Sequence, residues 1–259
     1  MSEEPYEKIV MKKPRPKRSY RPRNQNRRTA RFSRKVAVLY EDDAVVALDK
    51  PAGLLAVPVE GSDMPSALSI VAEELKTRRE RALIVHRIDR FTSGVLLFAK
   101  TDADRHKLLR QFLAHTTLRE YLTVVRGHPA QKQATLIHYF RREGMFQQLT
   151  NASDPEGTRA ELRYVVERRL RGASLVRVTL ITGLQNQIRV QFLALGHAVV
   201  GDRKYDKEEA KERRIDRVAL HAARLQFVHP RSGENVSVES PLPPDFQSLI
   251  KALQPPARA

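Results

Sequence analysis

The stretch HRIDRFTSGVLLFAK, residues 86–100, joins a polar turn to an apolar strand and decides how the rest of the chain is interpreted. Its GVLLFAK end is a short apolar run, typical of a strand buried on both faces. Its HRIDRFTS end places one acid, Asp89, between Arg87 and Arg90. Such a carboxylate is either half of an ion pair at a turn or a catalytic group in a site for a polyanion. The stretch alone leaves both interpretations open.

The composition is that of a globular protein and excludes several kinds of site. Of the 259 residues, 41% are hydrophobic and 30% are charged, and no apolar run approaches the length of a membrane span. The absence of cysteine excludes disulfides and thiolate metal sites and fits a reducing, cytoplasmic location. No glycine-rich dinucleotide motif, P-loop or zinc-type histidine spacing occurs. The sequence therefore predicts an enzyme or binding protein without a metal, a nucleotide cofactor or a membrane partner.

Positive charge is concentrated at the start of the chain. Residues 1–35 hold thirteen Lys and Arg against three Glu, so they carry +10 of the formal net charge of +17. Their prolines and scarce aliphatic residues predict a disordered basic arm, followed by one folded domain over residues 36–259. A basic protein attracts acidic partners, and nucleic acid is the leading one. An arm that only aids solubility or targeting is the alternative.

The folded part reads as strands and hairpins with a few helices. Helical patterns begin near Pro65 and Thr101 and include NQIRVQFLALG, which stops at Gly196. The remaining apolar or alternating runs have strand length, and most are joined by hairpin-length loops. This pattern predicts the α+β class with a mixed, mostly antiparallel sheet.

Three residues are candidates for chemistry, although each has an ordinary structural explanation. Asp89 is expected to be ionised because its arginine neighbours lower its pKa, which suits a base or a nucleophile. Tyr121 in EYLTVV can be a core tyrosine, and Arg189 in NQIRVQF can be an ordinary helix arginine. Taken one at a time, none of the three indicates a function.

Five segments in order resemble the motifs of one family. HRIDRFTSGVLLFAK closely matches the signature of the RluA-type pseudouridine synthases, whose catalytic aspartate stands where Asp89 does. The resemblance extends over residues 36–245 through four further segments: YEDDAVVALDKPAGLLAVP (40–58), REYLTVVRG (119–127), LITGLQNQIRVQFLALGHAVVGDRKYD (180–206) and LHAARLQFVHPRSGE (220–234).

The resemblance implies a fold, a reaction and partners. It implies the pseudouridine synthase fold, with helices flanking the sheet and a cleft across it. It also implies isomerisation of uridine to pseudouridine in ribosomal or transfer RNA by a monomer that needs no cofactor. A catalytically silent RNA-binding protein on the same fold is the alternative.

The resemblance also assigns roles to residues. Asp89 is the expected catalytic aspartate, as nucleophile or base, Arg189 its partner, and Tyr121 the tyrosine that lies against the target base. Arg87 is expected to fill the gap left by the extruded base. The expected RNA-binding set is completed by Arg90, Thr92, Gln187 and Ile188.

Two departures from the family pattern stand out. Residues 183–187 read Gly-Leu-Gln-Asn-Gln where many members read Gly-Arg-Thr-His-Gln, so a cation and an imidazole are missing from this loop. Arg119 stands where lysine is common. The basic arm is expected to supply phosphate affinity in place of a small RNA-binding domain that many relatives carry.

Overall fold

The structure is a computed structural model that describes residues 36–144, 146–206 and 212–255. The expected basic arm, residues 1–35, lies outside the described residues. Within them the chain forms eleven strands and four helices. The strands are β1 (Ala37–Glu41), β2 (Val45–Lys50), β3 (Leu83–Ile84), β4 (Ser93–Ala99), β5 (Leu118–Arg126), β6 (Gln133–Glu143), β7 (Phe146–Thr150), β8 (Thr158–Leu170), β9 (Ala173–Leu180), β10 (Leu220–Val228) and β11 (Asn235–Glu239). The helices are α1 (Ala67–Lys76), α2 (Asp102–Leu113), α3 (Gln187–Ala194) and α4 (Pro244–Ala252).

All eleven strands belong to one sheet. Its main order is β1-β2-β4-β10-β5-β9-β8-β6-β7, with β11 paired to β10 and β3 paired to β4. Among the described strands, β4 and β10 form the one parallel pair, and the other pairs are antiparallel. The predicted α+β class with a mixed, mostly antiparallel sheet is confirmed.

The centre of the sheet depends on close approach at Gly94. Every residue of β4 is buried, as its apolar sequence predicts. Gly94 has φ +115°, and a Cβ atom at this position would lie 2.1 Å from the carbonyl oxygen of Ala222 on β10. Only glycine therefore allows β10 to lie beside the start of β4, directly after the Asp89 turn.

Two helix starts carry side-chain caps, and one of them differs from the expected start. Helix α1 is capped by Ser66, whose hydroxyl accepts from the N–H of Ser69 at 3.0 Å. A proline near a helix start is typical of the first turn, but Pro65 precedes the Ser66 cap and α1 begins at Ala67. Thr101 caps α2 as expected, accepting from the N–H of Asp104 at 3.2 Å.

The hydrophobic core reaches directly under the cleft. One buried cluster contains Ile88 from the turn before β4, Tyr121 from β5 and Ile188 from α3, together with residues of β8, β9 and β10. The same packing that stabilises the sheet therefore fixes the three segments that carry the candidate site. No helix in the described part of the chain is long and apolar enough to cross a membrane.

Candidate active site

Three segments converge on one cavity of about 520 Å³. They are the turn between β3 and β4, strand β5, and the loop that leads into α3. Among the expected site residues, the cavity is lined by Arg87, Asp89, Thr92, Tyr121, Gln187 and Ile188. The end of α2 forms a further part of the wall through Leu109, Phe112 and Leu113.

Arg189 lies close to Asp89 but is held chiefly by another acid. Its Nη1 is 3.8 Å from Oδ2 of Asp89. Its Nε and Nη2 donate to the two carboxylate oxygens of Asp202 at 2.7 and 2.5 Å. This two-bond pairing fixes the plane of the guanidinium. Nη1, the nitrogen near Asp89, donates to Oδ1 of Asn186 at 2.6 Å. The structure thus brings together the two residues that the family resemblance pairs, and it adds Asp202 as the orienting group.

The environment of Asp89 raises its pKa. Burial is the largest effect and disfavours the ionised carboxylate, while surrounding positive charges, the strongest being Arg189, act in the opposite direction. The expectation that arginine neighbours lower this pKa is wrong, because it ignored burial. The side chain remains 23% exposed, on the side of the cavity.

A buried lysine holds the loop that carries Asp89, and sequence analysis did not single it out. Lys50 is fully buried, and its Nζ donates to the carbonyl oxygens of Pro51, Leu54 and Arg90 at 3.1, 2.9 and 3.1 Å. Burial lowers the pKa of Lys50 to about 7. The available signal was its position at the end of β2, directly before the Pro-Ala-Gly loop.

Tyr121 lies in the middle of β5 with its ring in the cavity wall. The residue is 8% exposed. Burial raises the pKa of its phenol to about 12, so the hydroxyl is protonated at neutral pH. Tyr121 can therefore present an apolar ring face and an O–H donor to a bound base, but not a phenolate.

The remaining residues of the 86–92 turn differ in what they offer a ligand. Arg87 is exposed and, within the described residues, makes no hydrogen bond or ion pair. Thr92 is buried, and its hydroxyl has no partner among the described residues. Arg90 does not line the cavity, and its Nε donates to the carbonyl oxygen of Gly53 at 3.0 Å.

Gln187 and Ile188 support the site more than they present polar groups to it. The Oε1 of Gln187 accepts from Thr182 Oγ1 and from the N–H of Leu184, at 2.9 and 3.0 Å. Its Nε2 donates to Glu161 O and Gln191 Oε1, each at 3.0 Å. The amide is thus saturated within the protein and braces the loop into α3, and its expected contact with RNA stays a prediction. Ile188 is 4% exposed and belongs to the core under the cavity.

Asn186 occupies a departure from the family pattern and has its own contacts. Its φ of +56° lies in the left-handed region, which asparagine tolerates better than most residues. Its Oδ1 accepts from Nη1 of Arg189 at 2.6 Å, and its Nδ2 donates to the hydroxyl of Tyr205 at 3.1 Å. The substituted loop therefore still contacts Arg189. No group of three or more His, Cys, Asp or Glu in the described ranges is placed to hold a metal ion.

Comparisons with known proteins agree on one family. The family model described as RNA pseudouridylate synthase matches residues 44–194. The ribosomal large subunit pseudouridine synthase D of Zymomonas mobilis is 33% identical over 228 residues, which are 83% of this chain and 72% of that protein. The ribosomal large subunit pseudouridine synthase C of Escherichia coli is 36% identical over 231 residues, which are 84% and 70% of the two chains.

Solved structures show the same fold. The human RNA pseudouridylate synthase domain containing 4 superposes with a TM-score of 0.69 at 20% identity, over 83% of this chain and 92% of that one. The human RNA pseudouridylate synthase domain containing 1 superposes with a TM-score of 0.65 at 25% identity, over 81% of this chain and 84% of that one. The family model spans more than half of the chain. At the motif positions, Asp89 and Tyr121 line the cavity, and Arg189 lies 3.8 Å from Asp89 without lining it. The chain therefore belongs to the RNA pseudouridylate synthase family, the isomerases that convert uridine in RNA to pseudouridine.

Proposed function

We propose that the protein isomerises uridine in the ribosomal RNA of the large subunit, with Asp89 as the catalytic carboxylate. The curated relatives described above are named for that RNA, and they include both C and D types. The observation that carries the catalytic part is the position of Asp89, which lines the cavity with the oriented guanidinium of Arg189 3.8 Å away.

The reaction requires little beyond these groups. The N1–C1′ bond breaks, the uracil turns, a C5–C1′ bond forms, C5 loses its proton and N1 gains one. The product has the same atoms as the substrate, so the proposed mechanism uses no cofactor. Asp89 acts on the nucleotide as a nucleophile or as a base toward the ribose, and both roles require the ionised carboxylate. Arg189 favours that form electrostatically, which offsets part of the effect of burial.

The cavity has to retain the uracil while it is detached from the ribose. Tyr121 and Ile188 supply apolar surface in the wall, against which the detached base can pack. Because the phenol of Tyr121 is protonated at neutral pH, it can relay the C5 proton but cannot take it up as a phenolate.

Arg87 is suited to the gap that an extruded nucleotide leaves in the RNA. Extrusion costs a few kcal/mol of stacking and pairing free energy. A flat guanidinium stacks on bases, and Arg87 is exposed and has no partner in the described part of the chain. In this proposal the domain over residues 36–259 carries the chemistry as a monomer. The basic segment 1–35 adds affinity for phosphates.

The proposed substrate is tested with RNA from cells that lack the gene. Large-subunit RNA, small-subunit RNA and transfer RNA are incubated separately with the protein, and new pseudouridines are mapped by chemical derivatisation and primer extension. A new stop in large-subunit RNA alone is the expected result. A stop confined to transfer RNA would contradict the ribosomal target and leave the isomerase assignment intact.

A further inference from the structure

Arg119 is a buried cation with no acid beside it. Its residue exposure is 9%, and it makes no ion pair within the described residues. Its Nη2 donates to the carbonyl oxygen of Ile181. Its Nε is buried without a partner, and Nη1 makes no hydrogen bond to any described residue. The catalytic scheme above does not use this side chain.

An unpaired buried charge destabilises a fold. A bound anion would offset that cost. Burial lowers the pKa of Arg119, and the group that opposes this effect is the phenol of Tyr121, which is neutral at pH 7. The guanidinium also lies over the ring of Phe112, with its Cζ 5.8 Å from the ring centroid. Among the described residues, no acidic side chain forms an ion pair with this cation.

The cation lies in the wall of the same cavity as Asp89. It is held against the start of the loop into α3, where a Cβ atom on Gly183 would lie 2.6 Å from Nη1. The last turn of α2 contributes apolar surface to this wall. Leu113 in that turn is 77% exposed, the most exposed large hydrophobic side chain among the described residues.

We propose that Arg119 and the last turn of α2 bind the RNA nucleotide next to the target uridine. Arg119 binds its phosphate, and Leu113 packs against its base or sugar. The proposal rests on the proposed function, because continuity with the catalytic cavity selects an RNA strand as the occupant. An unpaired cation beside apolar surface complements a nucleotide, and a cavity of about 520 Å³ is large enough for more than the target base.

Phosphate neutralisation tests the proposal position by position. The probe is a synthetic RNA that spans the uridine modified by the protein, with single phosphates replaced by uncharged methylphosphonates. For the wild type, neutralising one phosphate adjacent to the target should weaken binding by about tenfold to a hundredfold, as for a lost charge-assisted hydrogen bond. Arg119→Met should bind the RNA with all its phosphates charged more weakly than the wild type does, by the same factor. Neutralising that one adjacent phosphate should not weaken its binding further.

Two further variants separate ligand binding from a structural role. Arg119→Lys keeps the charge and should remain sensitive at the same phosphate. Arg171→Met removes an exposed arginine that donates to the carbonyl oxygen of Ala252 outside the cavity, and it should leave the positional pattern unchanged. RNA-free Arg119→Met should melt at the same temperature as the wild type or higher, because a buried unpaired charge is removed.

The outcomes are distinct. Wild-type protein that tolerates every methylphosphonate next to the target, or Arg119→Met that stays as sensitive as the wild type, would overturn the site. A lower melting temperature with unchanged RNA affinity would assign Arg119 a structural role and would also overturn it. Isomerisation of the RNA without methylphosphonates by the wild type is measured in the same reactions. If no pseudouridine forms, the result counts against the proposed function instead.

Discussion

Asp89 is a carboxylate on which burial and nearby positive charge act in opposite directions, and burial prevails. Its pKa is raised in the folded protein, so the folded state holds this proton more tightly than the unfolded chain does. Folding stability therefore falls as the pH rises from the ordinary carboxylate range through the raised pKa. Above that window the folded protein carries an unfavourable buried charge, which is a cost of keeping a reactive carboxylate in the cavity.

Asp89→Asn should therefore stabilise the RNA-free protein at pH 7. Thermal unfolding should show a higher melting temperature for the variant than for the wild type. The difference should vanish near pH 3, about where the carboxyl becomes protonated in both states. A variant that melts below the wild type at pH 7 would mean that the charge of Asp89 is structural, as in the ion-pair interpretation of the turn.

For single residues, the sequence predicts which ones form the candidate site but not how their surroundings act on them. The motif positions Asp89, Tyr121 and Arg189 could be named from the family motifs. The fold places Asp89 and Tyr121 in one cavity, with Arg189 3.8 Å from Asp89. The pKa direction of Asp89 could not, because it depends on burial by segments distant in sequence. The bracing role of Gln187 was likewise hidden, since its partners lie on β8 and in the preceding loop.

At the scale of elements, the parallel pairing of β4 with β10 fixes the position of the Asp89 turn, which directly precedes β4. It forms over His221–Ser93 and Ala222–Gly94. Because Gly94 combines a positive φ with a backbone contact that excludes any Cβ, it is the residue least tolerant of change in this pairing.

Gly94→Ala should destabilise the protein by more than about 2 kcal/mol, since backbone strain and displacement of β10 add together. Gly233→Ala is the matched control: its φ is +76°, but nothing lies within 4 Å of the added Cβ, so it should cost only about 1 kcal/mol. Urea unfolding of both variants measures the difference. Equal losses would show that the close approach of β10 does not matter.

Elements with a strong hydrophobic periodicity could be predicted from the sequence. Elements with a weak or obscured periodicity could not. Strand β7, with the sequence FQQLT, has little apolar alternation and depends on pairing with β6. Helix α4 did carry a helical pattern, with Phe246, Leu249, Ile250 and Leu253 buried on one side, but its proline-rich start obscured it. The side chain of Leu113, an apolar residue in the last turn of α2, is exposed because the helix ends at the cavity.

At the scale of the whole molecule, positive charge is distributed unequally between the basic segment and the folded body. Removing residues 1–35 should weaken RNA binding and flatten its salt dependence, because fewer counterions are released from the RNA. The rate at saturating RNA should stay close to that of the full chain. Binding measured from low to moderately high salt provides the test, and an unchanged slope after deletion would contradict a role in phosphate binding.

The fold class of the molecule followed from strand-length segments and hairpin loops, but the order of strands did not. Nothing local in the sequence indicates that β10, near the end of the chain, lies between β4 and β5. That placement joins β4 to β5 through β10 and so puts the Asp89 turn in the same cleft as Tyr121.

The most direct test of the catalytic assignment compares Asp89→Asn with the wild type on the substrate RNA, in which the target is still uridine. Both isomerisation and binding are measured. The substitution preserves size and removes the ionisable group. We expect no pseudouridine from the variant while its RNA affinity stays within about threefold of wild type, because Asp89 acts on the bound nucleotide and does not provide the binding charge. Isomerisation at a rate near that of the wild type would contradict the assignment of Asp89 as the catalytic residue.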